Sequence, residues 1–272
     1  MKRGISITLL LLATNALYAQ KFTMSCDPPF PDRLELSTQA NDDCGIIGSE
    51  TDSTTAHAKQ NAAKNNLCAT GDVISTTFVT FMRLQANLEK AGHAVFSSRS
   101  LPEDRSIFED VAKTSNGDTI GEGTIVSLVA FVGKVKRGGK ESVNCGLSKA
   151  VDVDSHIVLL PSRTAEECDS VTAEIIPHFR PMAWDAAGIN SPEVPMRFTG
   201  QLFYDASHKP CANGVRDSGS PARFTNWEIH PVYAIEVCKN ASMKRCSVDD
   251  DSVWMPLDEW LATQEAGDEP AQ

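Results

Sequence analysis

Residues 223–238 read RFTNWEIHPVYAIEVC, a run whose apolar positions are typical of a long β-strand. Successive side chains of a strand point to opposite faces, so Glu228 and His230 share one face while Trp227 and Ile229 share the other. We expect the apolar face to pack inside a core. The opposite face then carries a carboxylate beside an imidazole, directed towards a helix or the N-terminal part of the chain.

Similar pairs of an acid and a histidine lie at the ends of other strand-like runs: DSH at 154–156 begins one, and DASH at 205–208 ends another. If these strand ends meet in space, they form one cluster, whose candidate members are Asp154, His156, Glu174, His178, Asp205, His208, Glu228 and His230. Imidazoles and carboxylates are ligands of divalent transition metals, and a His–carboxylate pair can also act as a general base. Histidines on half-buried strands usually hold neighbouring strands together, so structural pairing is the default interpretation.

From residue 121 the sequence alternates and is rich in valine, with turn residues between the runs. The pattern predicts five to six strands, with one helical turn near 182–188 before the last two. Three strands, a helix and two strands are the order of an OB-fold. The predicted fold class is therefore α+β, with a small OB-like antiparallel β-barrel at residues 121–239 that follows a helical segment. A β-sandwich explains the strands equally well but not the helical turn.

The segment at residues 44–113 is predicted to be helical. Its clearest helix covers residues 76–91, where apolar residues recur at three- and four-residue spacing before a C-terminal stop at Gly92. These apolar residues are Phe78, Phe81, Met82, Leu84 and Leu88. Alanines at 52–66, with a serine or threonine available as cap, predict a weakly amphipathic helix upstream.

Both ends of the chain are predicted to lie outside the barrel. Residues 1–19 carry two basic residues, a short apolar run and the cut point ALYA, which is the pattern of a secretory signal peptide. An extended leader with three prolines follows at 20–43. Residues 240–272 form a tail with a short helix and a disordered acidic end from Gln264. The sequence predicts an exported protein, periplasmic or extracellular, with no transmembrane segment after signal cleavage.

The eight cysteines all follow the predicted cut, and an even count in an exported chain indicates a set of disulfides. Spacing does not determine the pairing. We expect Cys44–Cys68 to bracket a helix, Cys145–Cys168 to join neighbouring strands and Cys238–Cys246 to close a hairpin or tail loop. Cys26 and Cys211 are then left to pair or to stay free.

The chain is acidic, with 25 basic and 36 acidic residues and a formal net charge of −11. Loss of Lys2 and Arg3 with the signal peptide leaves 23 basic against 36 acidic residues, or −13. Such a charge repels polyanions at long range. General binding to nucleic acid or to an anionic membrane surface is therefore disfavoured.

Part of the chain, roughly residues 121–239, resembles a family of bacterial exported proteins with an OB-like core and no assigned activity. The resemblance rests on five segments that occur in this order: ESVNC, DSHIVLL, VTAEIIPHFRP, FTGQLFYDASH and WEIHPVYAIEVC. The most specific feature is GxLxxDxxH, at residues 200–208, followed by WEIHPV. The resemblance implies a fold and a shared polar cluster, but no reaction.

Thermonuclease-type nucleases also use OB-like barrels, with a carboxylate and metal centre and two arginines. The spacing of Asp, Arg and Glu in this chain does not match theirs, so the analogy concerns the fold alone. The leading interpretation is an exported, disulfide-stabilised binding or structural module of unknown ligand. The alternative is a metal-dependent hydrolase of the phosphodiesterase or nuclease type, for which the candidate cluster would hold a divalent metal.

Overall fold

The computed structural model describes Phe22, Cys26 and residues 43–216 and 221–267. The predicted signal peptide, most of the predicted leader and residues 268–272 lie outside the described residues. The described helices are α1 (Ala56–Lys64), α2 (Phe78–Ala91), α3 (Ala186–Asn190) and α4 (Leu257–Gly267). The described strands are β1 (Ile74–Thr76), β2 (Ala112–Lys113), β3 (Thr119–Ile120), β4 (Ile125–Arg137), β5 (Ser155–Leu160), β6 (Val171–Ile175), β7 (Met196–Tyr204), β8 (Trp227–Cys238) and β9 (Trp254–Pro256).

Five strands close into a barrel in the order β4, β5, β6, β8, β7, and β7 pairs back onto β4. Along the chain, α3 lies between β6 and β7, which are the third and fourth barrel strands in sequence order. This arrangement is that of an OB-fold, and the predicted α+β barrel is confirmed. The prediction that the barrel is antiparallel is wrong, because β6 and β8 run parallel. Parallel neighbours need a long crossover, and here α3 and β7 supply it. Outside the barrel, β1 also pairs in parallel with β4.

The two faces of the barrel strands differ in chemistry. Across β7 and β8, the pairs Met196–Val237 and Phe198–Ile235 belong to the hydrophobic core, whereas the pair Arg197–Glu236 points away from it. The inner face continues through Ile229, Ala173 and Ile157 on three neighbouring strands. The residues beside them, Glu228, Glu174 and His156, therefore lie on the outer face.

A close approach of β7 and β8 shapes one corner of the barrel. The register between these strands shifts on both sides of Gly200. A Cβ atom at this position would lie 2.3 Å from the carbonyl oxygen of Pro231, so only glycine fits there.

The chain segment before the barrel covers part of the outer face. We call residues 43–66, which comprise several turns and α1, the cover. Asn61 Nδ2 donates to Ile47 O at 3.0 Å and to Ser142 Oγ at 3.2 Å, which ties the cover to the β4–β5 loop. Gly48 has φ +61° and packs so closely on Ser142 that an added Cβ would lie 2.1 Å from its carbonyl oxygen. Thr55 caps α1 by accepting from Ala58 N.

The predicted helix at 76–91 is confirmed as α2. It begins with a capping box between Thr77 and Thr80 and ends at Gly92 in the left-handed conformation. Phe81, Leu84 and Leu88 are buried, but Met82 is 56% exposed, because the helix turns only part of its apolar stripe to the core. The tail also differs from the prediction, since α4 continues through residues 264–267. Among the described residues, no helix is both long enough and apolar enough to span a bilayer.

Four disulfides join the eight cysteines, and only one predicted pair, Cys238–Cys246, is confirmed. The predicted pairs Cys44–Cys68 and Cys145–Cys168 are wrong. The observed pairs are Cys26–Cys68, Cys44–Cys145 and Cys168–Cys211. The prediction joined cysteines that are close in sequence, whereas the fold brings the cover onto the β4–β5 loop and the β7–β8 loop beside the start of β6.

Candidate functional site

Buried charged side chains meet on the outer face of β5, β6 and β8. Glu174 lies at their centre between two imidazoles: its Oε1 is 2.9 Å from His156 Nε2 and its Oε2 is 3.1 Å from His230 Nδ1. Nδ1 of His230 is also 3.5 Å from Glu228 Oε2. The strand register explains these contacts, since His156 pairs with Glu174 and Thr172 with Glu228.

An arginine from the β7–β8 loop binds Glu228 and joins one more carboxylate, that of Asp205, to this group. Arg223 donates through Nη2 to Asp205 Oδ2 at 2.7 Å and through Nη1 to Glu228 Oε1. It also lies 3.4 Å from Thr172 Oγ1. All of these groups are buried. Asp205 and Glu228 thus bind the same guanidinium, whose positive charge lies between the two buried carboxylates.

His208 extends the network to the surface. Its Nδ1 contacts Asp205 Oδ2, and the side chain is 40% exposed. The other Asp205 oxygen, Oδ1, accepts from Ser207 N at 2.9 Å. The hydrogen bond and charge of Asp205 raise the pKa of His208 above its ordinary value.

A lysine from the cover reaches the other side of the group. Lys64 Nζ lies 2.9 Å from Glu141 Oε2, and the lysine side chain is buried although it is charged. Burial opposes this charge, but the attraction of Glu141, with Glu174, Asp205 and Asp154 beyond it, raises the pKa of Lys64 well above its ordinary value. We call the whole set the polar cluster, and its members are Lys64, Glu141, Asp154, His156, Glu174, Asp205, His208, Arg223, Glu228 and His230.

Asp154 differs from the other carboxylates of the polar cluster. It immediately precedes β5 and is 1% exposed, yet neither of its carboxylate oxygens has a hydrogen-bond partner among the described residues. Burial and the nearby Glu141 carboxylate raise the pKa of Asp154 to about 6. One ligand atom from each of Asp154, Glu174 and His230 lies within 4.8 Å of the other two.

The two buried histidines differ from Asp154, because their surroundings favour the charged form of the side chain. Burial disfavours the imidazolium form of both, but the charge of Glu174 outweighs this effect and raises the pKa of His156 to about 9 and that of His230 to about 10. Burial likewise opposes the charge of Glu174, but the two imidazoles hold its pKa well below the ordinary value. Although Nδ1 of His230 is near two carboxylates, neither ring nitrogen has an aligned hydrogen bond within the described part of the chain.

The structure brings together every predicted candidate except His178. That imidazole stacks on Phe22, with ring centroids 3.8 Å apart, and burial lowers its pKa to about 4. Sequence reasoning missed Arg223, Lys64 and Glu141, the partner of Lys64. Arg223 is the first residue of the strand-like run at 223–238, and the number of acidic residues among the candidates is a signal that a basic residue lies beside them. Lys64 lies on a helix with little apolar pattern, so its burial has no comparable signal.

Grooves elsewhere on the described surface are lined by other residues. One of about 520 Å³ is largely apolar and is lined by Phe78, Met82, Gln85, Ala86, Glu89, Pro161, Asp169 and Phe224. Another of about 510 Å³ carries five carboxylates, from Asp72, Glu109, Asp110, Asp118 and Glu122. Neither these grooves nor those beside Arg197 and Trp184 include a member of the polar cluster.

Comparisons with protein-family models, with curated proteins and with solved structures found no match. The resemblance to a family of exported OB-like proteins therefore stays a prediction. What the polar cluster can do must be argued from its own chemistry. Its carboxylates and imidazoles are groups that bind cations and hydrogen-bonding ligands, and most of them are buried.

Proposed function

We propose that this protein is an exported, disulfide-stabilised binding module that holds a small charged ligand in the polar cluster without converting it. The observation that carries the proposal is Asp154, a buried carboxylate with no partner among the described residues. A network that serves only to hold strands together pairs its buried polar groups, because an unpaired one costs about 1–3 kcal/mol or more. A ligand beside Asp154 would remove that cost.

The place of the polar cluster in the fold supports the same proposal. His156 and Glu174 lie on the second and third barrel strands, and Asp154, Asp205 and Arg223 lie in the loops after the first and fourth strands. OB-folds bind their ligands with these strands and these loops. This is an analogy of fold, which supports the location of a site but not its chemistry.

Export is part of the proposal. The signal-peptide pattern at residues 1–19 predicts it, and the four disulfides support an oxidising compartment.

Binding is favoured over hydrolysis because of access. A hydrolase needs space for its substrate beside the groups that activate water. Asp154, Glu174 and His230 are at most 1% exposed, and Gln201 Nε2 donates both to His230 O and to Ala63 O of the cover. None of the four grooves described above includes a member of the polar cluster, so none of them gives a phosphodiester chain access to these residues.

The test is a thermal-shift panel on the purified protein, with divalent cations, inorganic anions and neutral saccharides and nucleosides as separate arms. We expect one class to raise the Tm in a saturable manner, and Asp154→Asn to remove the shift. Asn has nearly the shape of Asp and loses no hydrogen bond here, so this variant should fold. Asp72→Asn, in the exposed acidic groove, is the matched control and should respond as the parent does.

Two results would contradict the proposal. One is the absence of a saturable shift with every class of ligand, which would leave the cluster structural. The other is turnover of a generic phosphodiester such as bis-p-nitrophenyl phosphate that is lost in His156→Ala and His230→Ala, which would establish the hydrolase instead.

A further inference from the structure

We infer that the ligand of the polar cluster is a divalent transition-metal ion coordinated by Asp154, Glu174 and His230. This inference rests on the proposed function and names its ligand. The three residues come from the β4–β5 loop, β6 and β8, and they are 1%, 1% and 0% exposed. One ligand atom of each lies within 4.8 Å of the others. Ligands around a tetrahedral ion stand about 3.4 Å apart, so shifts of about 1.4 Å or less would bring them to bonding positions.

The types of ligand atom select the class of ion. One imidazole nitrogen and two carboxylates suit Zn²⁺, Fe²⁺ or Mn²⁺. All eight cysteines are in disulfides, so no thiolate is present to favour Cu⁺ or an iron–sulfur cluster. Ca²⁺ prefers six to eight oxygen ligands, and Mg²⁺ a nearly all-oxygen octahedron. An imidazole at the centre of the site favours neither.

Neighbouring side chains lie against two of the three ligands, Glu174 and His230. His156 binds Oε1 of Glu174 and leaves Oε2 facing His230. Arg223 binds Oε1 of Glu228 and leaves Oε2 near the same imidazole. Metal sites in proteins commonly have such outer contacts, because they fix the orientation of each ligand before the ion arrives. Asp154 has no such contact among the described residues, which leaves both of its oxygens open to the ion.

The charge of the surroundings also fits a dication. Five carboxylates belong to the polar cluster: Glu141, Asp154, Glu174, Asp205 and Glu228. The lysine and the arginine of the polar cluster are Lys64, which is bound to Glu141, and Arg223, which is bound to both Asp205 and Glu228. Carboxylates thus outnumber the lysine and arginine side chains, and such surroundings attract a cation. Lys64 is then a competing cation at the edge of the site and sets a limit to the affinity.

The experiment uses Co²⁺ as a spectroscopic substitute for Zn²⁺ on the intact, oxidised protein. Since the three ligands are buried, Co²⁺ is added both to the native protein and during refolding from urea. We expect one equivalent to bind with visible absorption bands, and one equivalent of Zn²⁺ to abolish them. Asp154→Asn and His230→Gln should each weaken binding at least 100-fold. His178→Gln, a half-buried histidine outside the cluster, and Asp72→Asn should bind Co²⁺ as the parent does.

The parent protein provides a readout that does not depend on variants. The X-ray absorption spectrum of the bound Zn²⁺ should show nitrogen and oxygen neighbours, including the outer-ring scattering of imidazole, and no sulfur. If His230→Gln does not fold, this spectrum and the Asp154→Asn titration decide the question.

The inference is overturned if neither native nor refolded protein binds Co²⁺ or Zn²⁺, if the spectrum lacks an imidazole, or if folded Asp154→Asn binds as tightly as the parent. The proposed function fails separately. An anion that stabilises the parent through Asp154, with no effect of any dication, would keep the binding module and remove the metal, whereas stabilisation by a neutral saccharide alone would contradict both.

Discussion

The inner and outer faces of β5, β6 and β8 are one residue apart in sequence and depend on different forces. The inner face, through Ile157, Ala173 and Ile229, gains stability from apolar area removed from water, which needs no particular partner. On the outer face, Glu174 and Glu228 are just as buried, and each needs a positive group at a defined place. The outer face is therefore stable only when each of these buried carboxylates has its positive partner. Variants of Arg223 and Ile229 test that difference.

The largest effect should come from Arg223→Met. Without the guanidinium, Asp205 and Glu228 remain buried with no cation between them, and breaking such a buried ion pair costs about 5 kcal/mol. Urea unfolding of the oxidised protein measures this loss.

A second substitution tests whether the loss of stability in Arg223→Met comes from the unpaired carboxylate charges or from the changed shape of the Arg223 side chain. Glu228→Gln in the Arg223→Met background removes one of the stranded charges, and we expect the double variant to be more stable than Arg223→Met alone. A loss below about 1 kcal/mol for Arg223→Met would show that the pair is solvated, as surface pairs are, and the contrast between the faces would disappear.

On the inner face, Ile229→Ala should cost about 4 kcal/mol, because it removes buried methyl groups and leaves a cavity. Here we expect no rescue by a charge change on the neighbouring Glu228, since the lost contacts are apolar. Metal binding by the folded fraction should be unchanged. Recovery of stability in Ile229→Ala with Glu228→Gln would mean that the two faces are coupled, contrary to the comparison.

The smallest effect is a pH dependence at His178, which lies outside the polar cluster. Burial lowers its folded-state pKa to about 4 from the ordinary 6.5, so the folded protein resists protonation there. As the pH falls below 6.5, the unfolded chain takes up a proton that the folded chain does not, and stability is lost until the pH reaches about 4. The loss is at most about 3 kcal/mol.

The measurement compares the free energy of unfolding of the parent and of His178→Gln between pH 7.5 and pH 4. The advantage of the parent over the variant should shrink as the pH falls. His93→Gln, just beyond α2, is the exposed control and should follow the parent. An unchanged difference across the range would show that His178 is accessible to protons in the folded protein.

The fold could be predicted from the sequence as far as local patterns determine it. Alternation placed Glu228 and His230 opposite Trp227 and Ile229, and the order of strands and helix indicated the OB-like barrel. The parallel pairing of β6 with β8 was missed, because alternation within a strand carries no information about the direction of its neighbour. Disulfide pairing was missed for a related reason: Cys44 and Cys145 meet only after the cover has docked.

The candidate site was predicted in its strand residues and not in the groups that balance their charge. Acids and histidines in strand-like runs can be recognised from the sequence alone, so Asp154, His156 and Glu174 could be predicted. Lys64 reaches Glu141 only through tertiary packing. His178 was included because of its type and position, but its strand ends at Ile175, and the chain beyond carries it to Phe22.

The bridges Cys26–Cys68 and Cys44–Cys145 interleave along the chain. Synthesis delivers the cysteines in sequence order, so an oxidant that joins each new thiol to the one before it would link Cys26 to Cys44. That bond must be exchanged before the native pairs can form. With such an oxidant, the native pairs form only after that exchange; without exchange, Cys44 must stay unpaired until residue 145 has emerged.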